Sequence, residues 1–241
     1  MNDHSSLTDF LIIDIETVPG VPHFQELPEE WKGLWMGKIS KTVPENISPD
    51  ESYADRAGIF AEFGRVVCIS AGFFYREKNE EIFFKIKSIA GNDEQELLKN
   101  FFDLVEKFRE KRPRFSFAGH NIREFDIPFI CRRTLANRMQ LPAFLQFSGM
   151  KPWEVNMVDT LQFWKFGDFK NYTSLSLLTA VLGIPTPKDD IDGSMVRTVY
   201  YEEKNISRIV DYCQKDVIAV ANIILRFRNL PLLPAENISI A

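Results

Sequence analysis

Three short stretches of this sequence place acidic groups where they could act together. Asp14-Ile15-Glu16 ends an apolar run over residues 10–16. Side chains alternate along a strand, so Asp14 and Glu16 share a face. Two carboxylates one pleat apart repel unless a cation sits between them, and an oxygen-seeking ion such as Mg²⁺ or Mn²⁺ would resolve that conflict. Asp126 follows the turn Gly119-His120-Asn121, where a strand gives way to a helix. Its plainest explanation is an acid favoured by the helix dipole. Tyr212 and Asp216 stand four apart in a helical pattern and share one face. Each stretch alone is weak: with 15 Asp and 19 Glu, about one Asp-x-Glu arises by chance. Together they supply four acids and a phenol from a strand end, a helix start and a late helix, positions that can open on one cleft. Such a set suits phosphodiester hydrolysis, with two divalent ions roughly 4 Å apart activating water and stabilising the leaving oxygen. Tyr212 would orient the water, because a phenol with a free pKa of about 10 is a poor base at neutral pH.

Strands and helices must carry these groups. The patterning predicts strands over 10–16, 65–74, 81–87, 115–118 and 157–161. It predicts helices over 93–111, 125–138, 174–182 and 202–227, the first opened by a capping box of Asn92 and Gln95. Residues 17–64 break pattern, with five prolines and two tryptophans, and read as an insertion holding short helices, one near 53–63. This order describes an α/β protein, a mixed sheet flanked by helices.

Composition narrows the class. The chain has 241 residues, 45% apolar and 26% charged, which suits one folded domain over 1–241 and excludes disorder for the bulk of it. Residues 1–8 are expected to be flexible. A net charge of −5 argues against a broadly basic surface for coating duplex nucleic acid, but leaves room for a local site whose cations come from bound metal. Three Cys without CxxC spacing speak against a disulfide framework or a zinc knuckle. A reducing compartment follows, and with no signal-like N-terminus or apolar run of about 18 residues the expectation is cytoplasmic, with no membrane partner.

The segments Asp14-Ile15-Glu16, Asn121 through Phe125-Asp126, and Tyr212-Cys213-Gln214-Lys215-Asp216 resemble the three motifs of the DEDD 3′–5′ exonucleases. The tyrosine four before the final Asp is that of the tyrosine subclass; the place of the alternative histidine holds Asp211. Order and spacing are similar to the proofreading exonuclease domain of family B DNA polymerases. The resemblance implies a ribonuclease H-like fold with a five-stranded mixed sheet flanked by helices. It implies removal of nucleotides from a free 3′ end of single-stranded nucleic acid, DNA favoured over RNA, by a two-metal mechanism with Mg²⁺ or Mn²⁺. Asp14, Glu16, Asp126 and Asp216 carry over as metal ligands, Tyr212 as the residue on the water, and Asn121 and Phe125 as substrate contacts. Lys188, in the loop after Pro185, is a candidate for a phosphate near the centre, with a solvated loop as its ordinary alternative.

Two departures stand out. The chain leaves no room for polymerase palm, fingers and thumb, so a stand-alone exonuclease is expected, and the 17–64 insertion has no counterpart in the polymerase pattern. Some features have structural readings: Asn121 closing a turn, Phe125 packing in the core, Asp159 ending a strand, and Arg123, Arg132 and Arg133 on a charged helix face rather than on phosphate. Two other functions fit the same residues, a non-catalytic nucleic-acid-binding module and an oligonucleotidase acting on short RNA.

Overall fold

Eight of the ten residues in the strand β1 (Phe10–Pro19) are buried, because it runs through the middle of a sheet with apolar side chains on both faces. The structure is a computed structural model that describes the chain except for residues 1–5, 43, 45, 78–80, 148, 152–153, 169 and 186–190. After β1 come two helices, α1 (Glu29–Ile39) and α2 (Pro49–Arg56), then the strands β2 (Gly64–Arg76) and β3 (Ile82–Ala90). The helix α3 (Glu94–Lys111), the strand β4 (Ser116–Gly119) and the helix α4 (Asp126–Ala136) follow. A short strand β5 (Met157–Asp159) passes directly into α5 (Thr160–Lys165), and α6 (Leu175–Val181), α7 (Val196–Tyr201) and the long α8 (Ile206–Phe227) precede a last strand, β6 (Ile238–Ile240).

The sheet has the order β5-β4-β1-β2-β3-β6. β1, β2 and β3 are antiparallel in turn, while β4, β5 and β6 join parallel to their neighbours. Three antiparallel strands followed by two parallel ones on the far side of the first make a ribonuclease H-like α/β fold. The sheet has six strands where five are expected; the extra one is β6, three residues too short to show a period. The pairing of β1 with β2 slips between Glu16 and Thr17, which leaves Val67 as the extra residue of a bulge beside the acidic strand end.

One face of the sheet is covered by α3 and α4, which bury Leu11, Ile13, Ile15, Phe101 and Phe129 together. The other is covered by α8, against Phe10, Ile12, Phe74 and Phe84. Each such side chain contributes roughly 1.5–3 kcal/mol on burial. Residues 17–64 build a smaller aromatic cluster of their own, in which Trp35 meets Tyr53 and Phe63 edge-on at 5.1 and 5.0 Å. Trp35 comes from α1 and Tyr53 from α2, which starts before and ends earlier than the helix expected near 53–63, at Arg56; Ser48 caps the N-terminus of α2 and Pro49 opens it.

Two boundaries differ for identifiable reasons. The helix expected over 202–227 starts at Ile206 instead, because Lys204 takes a left-handed φ of 53° without a glycine to announce it, and the unexpected α7 ends just before at Tyr201. The strand expected to reach Leu161 stops at Asp159, whose side chain caps α5 instead.

Candidate active site

Asp14 and Glu16 point toward α8, on the face of β1 whose cross-strand partners are Ser70 and Cys68. β4 pairs with β1 only over Phe10–Ile12, so the backbone of Ile15 runs past the end of β4. There its N–H donates to Asp126 Oδ1 at 3.2 Å. That bond sets the first acid of α4 against the acidic end of β1. On α8, the core stripe carries Cys213 and Val217 into the sheet, and Tyr212 and Asp216 stand half-buried at its edge. The Cys213 thiol donates to the Asp14 carbonyl at 3.3 Å, which fixes the height of α8 over β1.

The four acids consequently feel one another. Burial comes first in raising Asp14, followed by the charges of Glu16, Asp216 and Asp126. Burial likewise leads for Glu16, with Asp216 next. Asp126 is pushed up to about 7 by burial, against the hydrogen bonds it accepts from its own N–H and that of Ile15. The Tyr212 phenol is raised far above its usual value by burial and by Asp216, to which it is hydrogen-bonded. Ligand oxygens of Asp14 and Glu16 and the Cys213 sulfur lie within 4.8 Å of one another. Asp14 Oδ2 is buried without a hydrogen-bond partner. Crowded, desolvated carboxylates with an orphaned oxygen fit divalent cations, whose charge would relieve the repulsion.

Asn121 sits in a left-handed turn with φ 64°, and its side-chain Oδ1 is buried without a partner beside this cluster's loop. Phe125 is half-buried, its ring 5.5 Å from that of Phe129 and packed in part against the core. Lys188 lies outside the described residues. Arg123 does not face phosphate: its guanidinium donates to the Val155 and Met157 carbonyls. Arg133 is engaged by Glu94, and Arg132 is exposed.

Sequence reading missed the residue that holds this turn in place. Asp159 is 4% exposed and accepts from four backbone N–H groups: Asn121, Leu161 and Gln162 on Oδ1, and Arg123 on Oδ2. It joins the end of β5 to the turn that delivers Asp126. An Asp before an apolar run signals a helix cap, but nothing in the sequence announces bonds across 36 to 38 residues. Gly119, just before the turn, has no room for a side chain: a Cβ would come within 2.8 Å of Ile122 Cβ and 3.1 Å of the Ile13 carbonyl. Asp159→Ala is expected to cost about 2–4 kcal/mol, measured by denaturant unfolding, because it orphans several N–H groups. Asp159→Asn keeps Oδ1 as an acceptor and should recover about half of that.

A second missed residue is Tyr172. His120 spans Thr160 Oγ1 and the Thr173 carbonyl at 2.9 Å each, and burial lowers its pKa, so the neutral ring donates from Nε2 to Thr173. This anchors Tyr172, whose phenol is raised by burial and then by the charges of Asp126 and Asp159. The residue is 65% exposed.

Among the described residues, no helix is long and apolar enough to cross a membrane. A search among curated proteins finds no match. A solved family B DNA polymerase from the hyperthermophilic archaeon Pyrobaculum calidifontis aligns over 90% of this chain and 24% of its own, at 16% identity and a TM-score of 0.49. The chain thus spans about a quarter of that polymerase. Residues 59–231, well over half the chain, match a family described as a predicted 3′–5′ exonuclease related to the exonuclease domain of PolB. That span holds Asn121, Phe125, Asp126, Tyr212 and Asp216; Asp14 and Glu16 precede it. With most of its length matched by that family, the chain belongs to it.

Proposed function

We propose that this chain is a metal-dependent exonuclease that removes nucleotides from the 3′ end of single-stranded nucleic acid, with DNA preferred to RNA. The observation that supports this reading is the crowding of Asp14 and Glu16 at an orphaned carboxylate oxygen, with the charges of Asp126 and Asp216 acting on both. Family membership supports the direction of cleavage, and the family's relation to a DNA polymerase domain supports DNA. We take residues 17–64 as part of the same domain; Thr17 Oγ1 donates to the Gly58 carbonyl and Arg133 to that of Ala61, which ties the segment to β1 and α4.

In this reading the four carboxylates hold two divalent cations, Mg²⁺ or Mn²⁺. When bound, the ions supply the positive charge that lowers the pKa of the attacking water and offsets charge on the leaving oxygen. Glu16 and Asp126, at 7% and 3% exposure, keep the cluster dry, which strengthens every charge interaction inside it. Tyr212 stays protonated, so its hydroxyl can orient water but not remove a proton. The Asn121 Oδ1 is free to accept from a terminal sugar hydroxyl, and the exposed Tyr172 ring is placed to stack on a base.

End-labelled DNA and RNA, single-stranded, tailed and duplex, should be incubated with Mg²⁺, Mn²⁺ or chelator. Stepwise shortening from the 3′ end of single-stranded DNA, lost in chelator, is expected. Tyr212→Phe should slow this by about 10–100-fold, less than the roughly 100-fold or more of a proton-transferring group, since the phenol only orients water. Shortening from the 5′ end, or cleavage undiminished by chelator, would overturn the proposal. Activity confined to dinucleotides and short oligomers would make the protein an oligonucleotidase.

A further inference from the structure

The face of the sheet opposite the acids holds a second site of opposite charge. α3 packs over β2 and β3, and a cleft of about 840 Å³ lies between helix and strand. Lys85 and Lys87 line it from β3; Lys107, Lys111 and Arg112 line it from α3 and its end. Among the described lining residues, one carboxylate side chain, Asp103, opposes these five cations. The four lysines are exposed, and within the described residues none has a carboxylate at ion-pair distance. A chain of net charge −5 thus gathers cations on one face and crowds acids on the other.

The cations form two rows. Lys85 and Lys87 are two residues apart on a strand, a repeat of about 7 Å. Lys107 and Lys111 are four apart on a helix, a repeat of about 6 Å. Between the rows the floor is aromatic: Phe73 lies opposite Lys85 in the β2–β3 register, and its half-buried ring is 5.4 Å from that of Phe108. Farther along the same face Tyr75 and Phe83 stack at 5.4 Å. Acidic peptides would satisfy the lysines but have no use for flat rings. A single nucleic-acid strand uses both, with phosphates on the cations and bases on the aromatic faces.

We propose that this cleft binds the phosphate backbone of single-stranded nucleic acid, as a tract separate from the acidic centre. The identity of the polymer rests on the exonuclease reading; the cleft's affinity for it does not. A strand long enough to reach both faces would be retained between turnovers, since the second contact becomes intramolecular.

Fluorescence anisotropy in chelator, where nothing is cleaved, tests this with oligothymidylates of about six and about thirty nucleotides. The Lys85→Glu/Lys107→Glu variant should bind the long strand at least about tenfold more weakly, with a salt slope shallower by one to two. Cleavage of the short strand should be unchanged. Unaltered binding of the long strand, in this variant and in Lys87→Glu/Lys111→Glu, would overturn the proposal. So would equal affinity of the unmodified protein for polyglutamate, which would assign the cleft to an acidic protein. A chain that cleaves nothing, yet loses long-strand binding on charge reversal, keeps the cleft and refutes only the active-site reading.

Discussion

Asp216→Ala is expected to lower the cleavage rate at least about a thousandfold, equivalent to roughly 4 kcal/mol of barrier, with the fold intact. Asp216 is the acid whose charge reaches all of its partners: it raises Asp14, Glu16, Asp126 and the Tyr212 phenol. Under the proposed function, removing it takes away both a group that would hold a cation and the partner of the Tyr212 hydroxyl. Asp14→Ala should be equally damaging, and Tyr212→Phe much less so. Stability should move the other way. In chelator, the native state holds Asp126 protonated up to about pH 7, while the unfolded chain releases that proton at about pH 4. The native state therefore binds more protons between these values, and stability falls as pH rises through that window, leaving the full penalty above it. Asp216→Asn relieves part of the repulsion without changing shape. It should melt above the parent protein in chelator at pH 8, with the gap closing toward pH 4 and narrowing when Mg²⁺ is added to the parent. A variant with parental cleavage, or one that melts lower at pH 8, would contradict the arrangement of acids described here.

Arg133→Ala is expected to cost about 3–5 kcal/mol, as the loss of one partner from a buried ion pair. Glu94 is 7% exposed at the start of α3 and accepts from the Val66 N–H at 2.7 Å. Arg133 on α4 meets it with two nitrogens, Nη2 to Oε2 at 2.7 Å and Nε to Oε1 at 3.0 Å, and Asn137 adds a third donor at 2.7 Å. The same guanidinium donates to the Ala61 carbonyl at 2.9 Å. Truncation leaves a desolvated carboxylate with its charge unanswered. Replacing both, as Glu94→Gln with Arg133→Met, should recover much of the loss, which urea unfolding of the three variants would measure. If Arg133→Ala unfolded within about 0.5 kcal/mol of the parent, the ion pair would be a surface pair in solution.

These two residues show where sequence reading stops. The acids were legible because their relations are local: one pleat between Asp14 and Glu16, one helical turn between Tyr212 and Asp216. The succession of the main strands and helices followed from patterned runs, and α3, α4 and α6 lie within a residue or two of expectation. The cap of α3 is Asp93 rather than Asn92, since either residue can accept from the first turn and only the backbone decides. Glu94 and Arg133 were not legible, because 39 residues separate them and each is an ordinary charged residue on an amphipathic helix. The same holds for Asp159, whose value lies in the N–H groups that folding brings to it. The cationic cleft escaped for a different reason: its lysines come from a strand and a helix, and no local window shows a basic run.

The outermost strands are β5 and β6, each of three residues. A long flat border invites another chain to add itself, and aggregation follows. β5 ends abruptly in a helix, so little unpaired backbone is offered there. β6 shields β3 over Phe84–Ile86, and the stretch of β3 just beyond carries Lys87. Both borders are thus too brief or too charged to serve as templates for a further chain.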